Sequence, residues 1–285
     1  VIQSAFSGLI QGGGYAFLAV CIVITYRMVR VLNFAQAAIG AMGAYVAIVL
    51  SEHGWAYLPA LVVGVLAALA IGTLCGFSLV RWFSTAPIEQ RSTVAIAMLI
   101  ALLAIGQLVF GTHPHRVPAL LPGKTFEVAS VIVTWASVVV VVAAVLLAAT
   151  VHLFLKRTRI GTKMRAQASR PQTAELLGVP AKTLGIAVWA ITGGIAAAGI
   201  FVIAPTTSNE YGNLGLLVMP AIAGAAVGLF RNTWAAIAGG VGIGLLAGLA
   251  GHWPSVGVYS EAIPLLVIVL VIMWSQRGNV WDAAR

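Results

Sequence analysis

KRTRIGTKMRAQASRPQTAELLGVPAK, residues 156–182, is the only long polar interval in a chain that is otherwise apolar. Lys156, Arg157, Arg159, Lys163, Arg165, Arg170 and Lys182 stand in it against a single acid, Glu175. Pro171 sits where a first helical turn tolerates a missing amide hydrogen, and Gly178 followed by Pro180 forms a C-cap and stop. About two helical turns fit between them, from Pro171 to Leu177, too few to be stable alone in water. Ala174, Leu176, Leu177 and Val179 give that short helix apolar side chains to offer elsewhere. Two readings stand at this point. The interval is either a docking element for a soluble partner or a solvated loop retained on one side of a membrane by its positive charge.

The sequence on either side of this interval is that of a membrane protein. Hydrophobic residues make up 61% and charged residues 8%, with a mean hydropathy of +1.03. Soluble domains carry charge on about a quarter of their residues. Apolar runs of about 18 residues or more recur, each able to cross a bilayer core of about 30 Å. A transmembrane barrel would show weak ten-residue alternation instead, so the expected class is an all-α bundle forming a single transmembrane domain over 1–285. The net charge of +9 would suggest nucleic acid in a soluble protein; here it belongs to basic loops, and no nucleic-acid partner is expected. Cys21 and Cys75 fall in apolar runs and read as buried thiols. The chain starts at Val1 without a cleavable signal pattern, which leaves room for residues before it.

Nine segments are apolar enough to consider as crossings: about 5–26, 33–50, 57–80, 93–110, 131–155, 184–204, 213–230, 233–250 and 262–275. The interval 111–130, with Pro114, Pro118, Pro122 and Gly123, is too broken to span, and Pro220, Gly224 and Gly228 interrupt 213–230, which is either a crossing or re-entrant. Eight or nine crossings are therefore expected. With nine, the loop 156–183, Arg27, Arg30, Arg81, Arg91, Arg231, Arg277 and Arg285 all fall on one side. Glu52, Glu127, Glu210 and Glu261 fall on the other, where Arg116 and Lys124 are the basic exceptions. Basic loops stay cytoplasmic, so the N-terminus is expected outside and the C-terminus inside. Gly240, Gly244 and Gly248, at four-residue spacing, form a stripe for close helix approach, within the bundle or at a subunit contact; Gly193, Gly194 and Gly199 point the same way.

Signals for enzymatic chemistry are poor. His53, His113, His115, His152 and His252 are scattered, without the spacing of a metalloprotease helix, and His113-Pro114-His115 has no carboxylate or thiol nearby in the sequence. PGKT at 122–125 ends like a phosphate-binding loop, but Pro118 stands where its first glycine belongs. No metal site, cofactor or ATP site is expected in this chain; ATP-driven work would need another polypeptide. Charges deep in the spans are scarce, which argues against a self-powered carrier. Polar candidates for a solute path are Asn33, Gln36, Gln107, Thr192, Thr206, Asn209 and Asn213, each of which could equally satisfy an interhelical hydrogen bond. Asn33-Phe34-Ala35-Gln36 precedes the Gly-spaced run AAIGAMGAY, and Asn213-Leu214-Gly215 precedes LLVMPAIAGAAVG. Interrupted helices in both halves point to a path at the bilayer midplane, because freed backbone groups need a cavity or a partner.

At these residues the chain resembles the inner-membrane permease subunits of branched-chain amino acid ABC importers, the LivH type. GYAFLAVCIVITYRMVRVLNFAQAAIGAMGAYVA at 14–47 is similar to that family's first helix, its Asn-Phe-Ala motif and the Gly-spaced helix that follows. RTRIGTKMRAQASRPQTAELLGV at 157–179 resembles its cytoplasmic loop, and LGLLVMPAIAGAAVGLFRNTWAAIAGGVGIGL at 214–245 its late Gly-rich segment. ALLPG at 119–123 and Gln276-Arg277-Gly278 agree in order. The resemblance implies a multi-pass permease of the bacterial cytoplasmic membrane. It implies pairing with a second, non-identical permease, docking of two cytoplasmic ATPases, and delivery of solute by an extracytoplasmic binding protein. The helix at 171–177 is then the coupling helix, with Arg159, Gly161, Arg165, Ala174, Glu175, Leu177 and Gly178 as coupling residues. Asn33, Phe34, Gln36, Asn213 and Met219 are the path residues. Where the family commonly carries His-Gly and an acid after Asn-Phe-Ala, this chain has Gln36, Ala37 and Ala38. Relatives that carry urea, amides or sugars thus stay open as a guide to the solute. A standalone channel or facilitator, or a scaffold subunit without a path, are the rival readings.

Overall fold

The structure, a computed structural model, describes residues 2–115, 125–128, 131–206 and 210–277. The expectations that fall on 116–124, Asn209 and the tail from Gly278 lie outside the described residues. In chain order the helices are α1 (Ile2–Ser7), α2 (Leu9–Val29), α3 (Gln36–Glu52), α4 (Tyr57–Trp82), α5 (Ile88–Phe110), α6 (Trp135–Arg157) and α7 (Arg159–Ser169). They continue as α8 (Pro171–Leu176), α9 (Ala181–Ile203), α10 (Tyr211–Leu216), α11 (Val218–Val227), α12 (Thr233–Ala250), α13 (Pro254–Gly257) and α14 (Ile263–Gln276). In hydrocarbon, unpaired backbone groups cost several kcal/mol each, so even the Val-rich run of α6 becomes helical despite its β-branched residues.

Six helical stretches are long and apolar enough to cross a membrane: Gln3–Val29, Tyr57–Trp82, Ile88–Phe110, Ser137–Arg157, Ala181–Ile203 and Thr233–Ala250. The chain is thus a multi-pass helical membrane protein. The other three expected segments are helical but shorter: Gln36–Glu52, Tyr211–Val227 and Ser260–Ser275. The interruption expected in the 213–230 region falls at Leu217, between α10 and α11. Pro220 stands three residues on, and its ring cannot be accommodated against the carbonyl of Leu216.

The helical class holds, and beside its helices the described residues carry one short antiparallel hairpin of β1 (Thr125–Val128) and β2 (Val131–Thr134), with Thr125 opposite Thr134. The fifth apolar run accordingly becomes helical at Trp135 rather than at 131. Hydropathy could not separate β2 from α6, because Val131-Ile132-Val133 and the valines after Ser137 are equally apolar and equally β-branched. The Gly stripe of α12 also has its partner inside this chain. A Cβ on Gly244 would meet the Gly8 carbonyl oxygen at 2.6 Å, one on Gly12 would meet that of Val241 at 2.8 Å, and Gly240 faces the backbone of Ala16. The stripe is therefore closed by Gly8, Gly12 and Ala16, the packing within the bundle that its spacing suggested.

The same device recurs across the interior. Gly43 of α3 and Gly64 of α4 bring their helices together backbone to backbone, and a Cβ on Gly72 would meet the carbonyl oxygen of Trp189 at 2.6 Å. Lipid tails are as apolar as leucine, so close packing rather than hydrophobic exclusion holds such helices together. The result is a center made of α2, α3 and α9, with Trp189, Tyr45 and Phe201 fully buried. Around it, α4, α5, α6 and α14 turn large apolar side chains outward, among them Leu58, Leu66 and Leu74 on α4 and Leu265, Val269 and Met273 on α14. Exposed Trp55, Trp135 and Trp253 lie near one set of helix ends and Trp82, Trp234 and Trp274 near the other, the distribution expected of membrane-interface belts.

Among the described residues, three that are not glycine have left-handed backbones: Arg30, Leu229 and Phe230. Arg30 ends α2, and its amide donates to the carbonyl of Tyr26. Leu229 and Phe230 form the turn between α11 and α12. The rings of Tyr26 and Phe230 lie 5.3 Å apart and bring the two turns together. Asn232 then caps α12, its Oδ1 accepting from the amides of Trp234 and Ala235.

Candidate functional site

The first group of site residues surrounds the start of α3. After Arg30 the chain has no regular structure from Val31 to Asn33 and then turns into α3 at Gln36, which packs against α9. Thr192, eleven residues into α9, lies roughly 16 Å along that helix at 1.5 Å per residue. There Asn33 Nδ2 donates to Gln36 Oε1 at 2.8 Å, and Gln36 Nε2 donates to the Thr192 carbonyl at 2.8 Å. The Thr192 hydroxyl donates to the Val188 carbonyl at 2.7 Å and lies 3.2 Å from both Gln36 Oε1 and the Thr25 hydroxyl. Asn33, Gln36, Thr192 and Thr25 are all fully or almost fully buried. Asn33 Oδ1 is left without a partner among the described residues. This polar knot ties α2, α3 and α9 and fixes where α3 begins. Phe34 is half-buried and packs against the apolar core rather than joining it.

The second group lines a cleft of about 630 Å³ formed by α2, α10, α11, α12 and the turn before α14. Asn213 and Met219 line it with Gln11, Tyr15, Pro220, Ser260 and Glu261. Asn213 donates through Nδ2 to Glu210 at 3.2 Å. Tyr211, one turn from the cleft, is buried, donates to the Leu102 carbonyl at 2.9 Å and packs its ring on Gly106. It stands edge-on to Tyr45 at 5.3 Å, which anchors α10 to α3 and α5. The expected path residues therefore separate into a sealed knot, Asn33 and Gln36, and an open cleft, Asn213 and Met219. Sequence reasoning missed Gln11, Tyr15, Ser260 and Glu261, although Gln11 and Tyr15 are four residues apart and share a helix face. Thr25 was also missed; a lone hydroxyl in an apolar run gives no signal of its own. Gln107 is exposed on α5, outside both groups.

The third group is the basic interval. It contains an eleven-residue helix that sequence reasoning passed over, α7, whose N-cap Thr158 accepts from the Gly161 amide at 2.9 Å. The signal was a threonine in front of an amphipathic turn. Gly161 is buried, and a Cβ there would meet the Phe154 carbonyl oxygen at 2.5 Å, so it lets α7 fold over the end of α6. Arg30 Nη2 donates to the Ala168 carbonyl at 2.8 Å and holds the far end of α7 to α2. Arg159 and Arg165 are exposed.

The short helix α8 begins at Pro171, as expected, and closes with Gly178 at φ +78°. Val179 donates to the Ala174 carbonyl and Gly178 to that of Glu175, the two bonds of a Schellman cap. Ala174 is turned inward, while Leu176 and Leu177 are 89% and 79% exposed and Glu175 is exposed beside them. Two adjacent leucines thus stand uncovered on a capped helix of six residues.

The structure thus combines a helical bundle with spans long enough to cross a membrane, an open cleft of mixed polar and apolar lining, and a short exposed helix in the basic interval. A family profile described as branched-chain amino acid transport system / permease component matches residues 4–272. The chain belongs to that family and is a permease subunit. Among its curated relatives, the high-affinity branched-chain amino acid transport system permease protein BraD of Pseudomonas aeruginosa is 27% identical, over 97% of this chain and 94% of its own. The probable branched-chain amino acid transport permease protein LivH of Methanocaldococcus jannaschii is 25% identical over 92% and 86%, and LivH of Escherichia coli K12 24% over 97% and 94%.

Proposed function

We propose that this chain is one half of the translocation path of an ABC importer for branched-chain amino acids in the bacterial cytoplasmic membrane. A single domain, 1–285, crosses nine times by adding α3, α10–α11 and α14 to the six long helices, with its N-terminus outside. The loop 156–183 docks a cytoplasmic ATPase, which hydrolyses the ATP. A second, non-identical permease, a second ATPase and an extracytoplasmic binding protein complete the assembly. Leu177 and Glu175 are the contact residues, with Arg159 and Arg165 flanking them. Ala174, Gly161 and Gly178 position the helix rather than touch the partner. Asn213 and Met219 face the solute, while Asn33, Gln36 and Phe34 set the start of α3. The observation that carries this is the capped α8 with Leu176 and Leu177 uncovered. The solute class is that named for the relatives; urea, amides and sugars are the alternatives.

The test is a mild-detergent purification from the native membrane with identification of what accompanies the chain. Two ATPases and a second permease are expected. Recovery of the chain alone, together with leucine flux from the purified chain in liposomes, overturns the importer and establishes a facilitator.

A further inference from the structure

We propose that the permease carries a second binding site, on its cytoplasmic side, for a small α-amino acid with an apolar side chain, and that this site lets the imported product restrain its own import. The inference rests on the import function and orientation proposed above. The site is a cavity of about 520 Å³ between the α4–α5 corner, the end of α2, and α7, α8 and the start of α9. That volume lies within the range of small-molecule pockets, about 300–1,000 Å³.

Two buried side-chain atoms lining the cavity have no partner among the described residues, and they are of opposite kind. Arg91 Nε is a donor and Gln167 Oε1 an acceptor. Arg91 is otherwise held in place by its Nη2, which donates to the Ser84 carbonyl. A buried group left unpaired costs about 1–3 kcal/mol, more when charged, so a ligand that pairs both is favored. Such a ligand needs an acceptor and a donor of its own.

Both signs of charge line the cavity. Arg91 belongs to the start of α5, whose N-cap Pro87 provides no side-chain acceptor or donor and whose first turn carries Glu89 outside the lining, and Lys182 belongs to the equally uncapped start of α9. Free helix amides and the positive helix end favor a carboxylate there. Glu175 of α8 also lines the cavity, where with Gln167 it suits an ammonium group. Arg30, already bonded to the Ala168 carbonyl, and Ser84 and Ser169 also line the cavity, and much of the remaining wall is apolar, with Leu79, Phe83, Leu184 and Val188. Carboxylate, ammonium and aliphatic side chain are the three parts of a branched-chain amino acid. Bound there, it would tie α8 through Glu175 to α5 through Arg91, and a contact helix so tethered would slow the cycle as product accumulates.

The test places a thiol at the exposed rim by Ser84→Cys in the full chain in lipid nanodiscs and follows its labelling by a membrane-impermeant maleimide. L-leucine is expected to slow labelling at least tenfold. Leucinol, which lacks the carboxylate, and 4-methylpentanoate, which lacks the ammonium, should change it less than twofold. Adding Arg91→Met should abolish the protection; adding Gly242→Ala, at a position with nothing within 4 Å of a new Cβ, should not. No protection by leucine, while the assembled transporter still takes up leucine, overturns the site and leaves the import function standing. Equal protection by either analogue also overturns it. So does a thiol already blocked by a co-purified phospholipid that Arg91→Met releases. Protection by leucine in an assembly that does not import leucine keeps the site and removes the import reading.

Discussion

His115 shows how one side chain fastens a loop. Its Nδ1 lies 2.7 Å from Glu52 Oε2 and its Nε2 lies 3.2 Å from the Phe110 carbonyl. Both partners are acceptors, and a neutral imidazole has only one N–H, so the pair of bonds needs the imidazolium. The hydrogen bond that His115 donates to Glu52 raises its pKa above the ordinary 6.5, with help from the bond to the Phe110 carbonyl and against a smaller opposing effect of burial. A group whose folded pKa is raised contributes stability fully below the unfolded value and loses it as pH rises through the folded value. Thermal stability should therefore fall across that window above pH 6.5, and Glu52→Gln should flatten the profile; a wild-type melting temperature independent of pH from 6 to 8 would contradict this.

The buried knot makes a different demand. Gln36→Leu removes the partner of both the Asn33 amide and the Thr192 carbonyl, which should lower stability by about 1–2 kcal/mol, the upper range for hydrogen bonds inside membranes. A fluorescence-detected melting curve in detergent would check it. Asn33 and Gln36 were recognizable in the sequence as polar residues at a helix start, but their burial was not. A polar residue in an apolar run reads the same whether it faces a path or another helix.

Helices pair here through glycine, and the pairing can be probed with single methyl groups. Gly244→Ala sets a Cβ against the backbone of Gly12 and Gly8, atoms that cannot rotate away, whereas at Gly242 the space is open. Gly244→Ala should destabilize by about 1–3 kcal/mol through overpacking. Gly242→Ala should be neutral or stabilizing by up to about 1 kcal/mol, because alanine is the better helix former. Equal melting temperatures for the two variants would show that α2 and α12 do not meet in this way. For α8, Gly178→Pro with Leu177→Asp should leave insertion intact and remove co-purifying ATPase; retained ATPase and transport would refute the docking role.

The elements differ in how plainly the sequence announced them. Pro171, Gly178 and Pro180 bracket α8 so tightly that its limits could be read directly. The helix α7 has no such brackets except Thr158, and seven basic residues around it masked its amphipathic character. The hairpin was hidden for another reason: strand pairing is a relation between two segments, and no local run of residues displays it.

Considered as a whole, the molecule has its buried center in α2, α3 and α9, with the cleft and α8 as its two candidate sites. The arrangement across the bilayer rests on the sorting of charge by side, and it can be checked directly. A thiol introduced by Ser169→Cys should react only with reagent added from the cytoplasmic side, and one introduced by Tyr259→Cys only from outside. Reaction of both from one side would refute nine crossings. What could not be read was which polar residues share a cavity. Gln11 and Tyr15 belong to the first span and Ser260 and Glu261 to the last turn before α14, yet one cleft collects them.

The contact between Gly8, Gly12 and Ala16 and the stripe on α12 also sets a timetable. At about 5–20 residues per second, a ribosome needs roughly 10–40 seconds to travel from the end of α2 at Val29 to the start of α12 at Thr233. For that whole interval α2 sits in the bilayer with its glycine face vacant, while most of the protein is still to be made. A chain cut short before α12 never fills the vacancy, and its first span becomes a bare notch open to other helices and to the proteases that patrol the membrane for unfinished work.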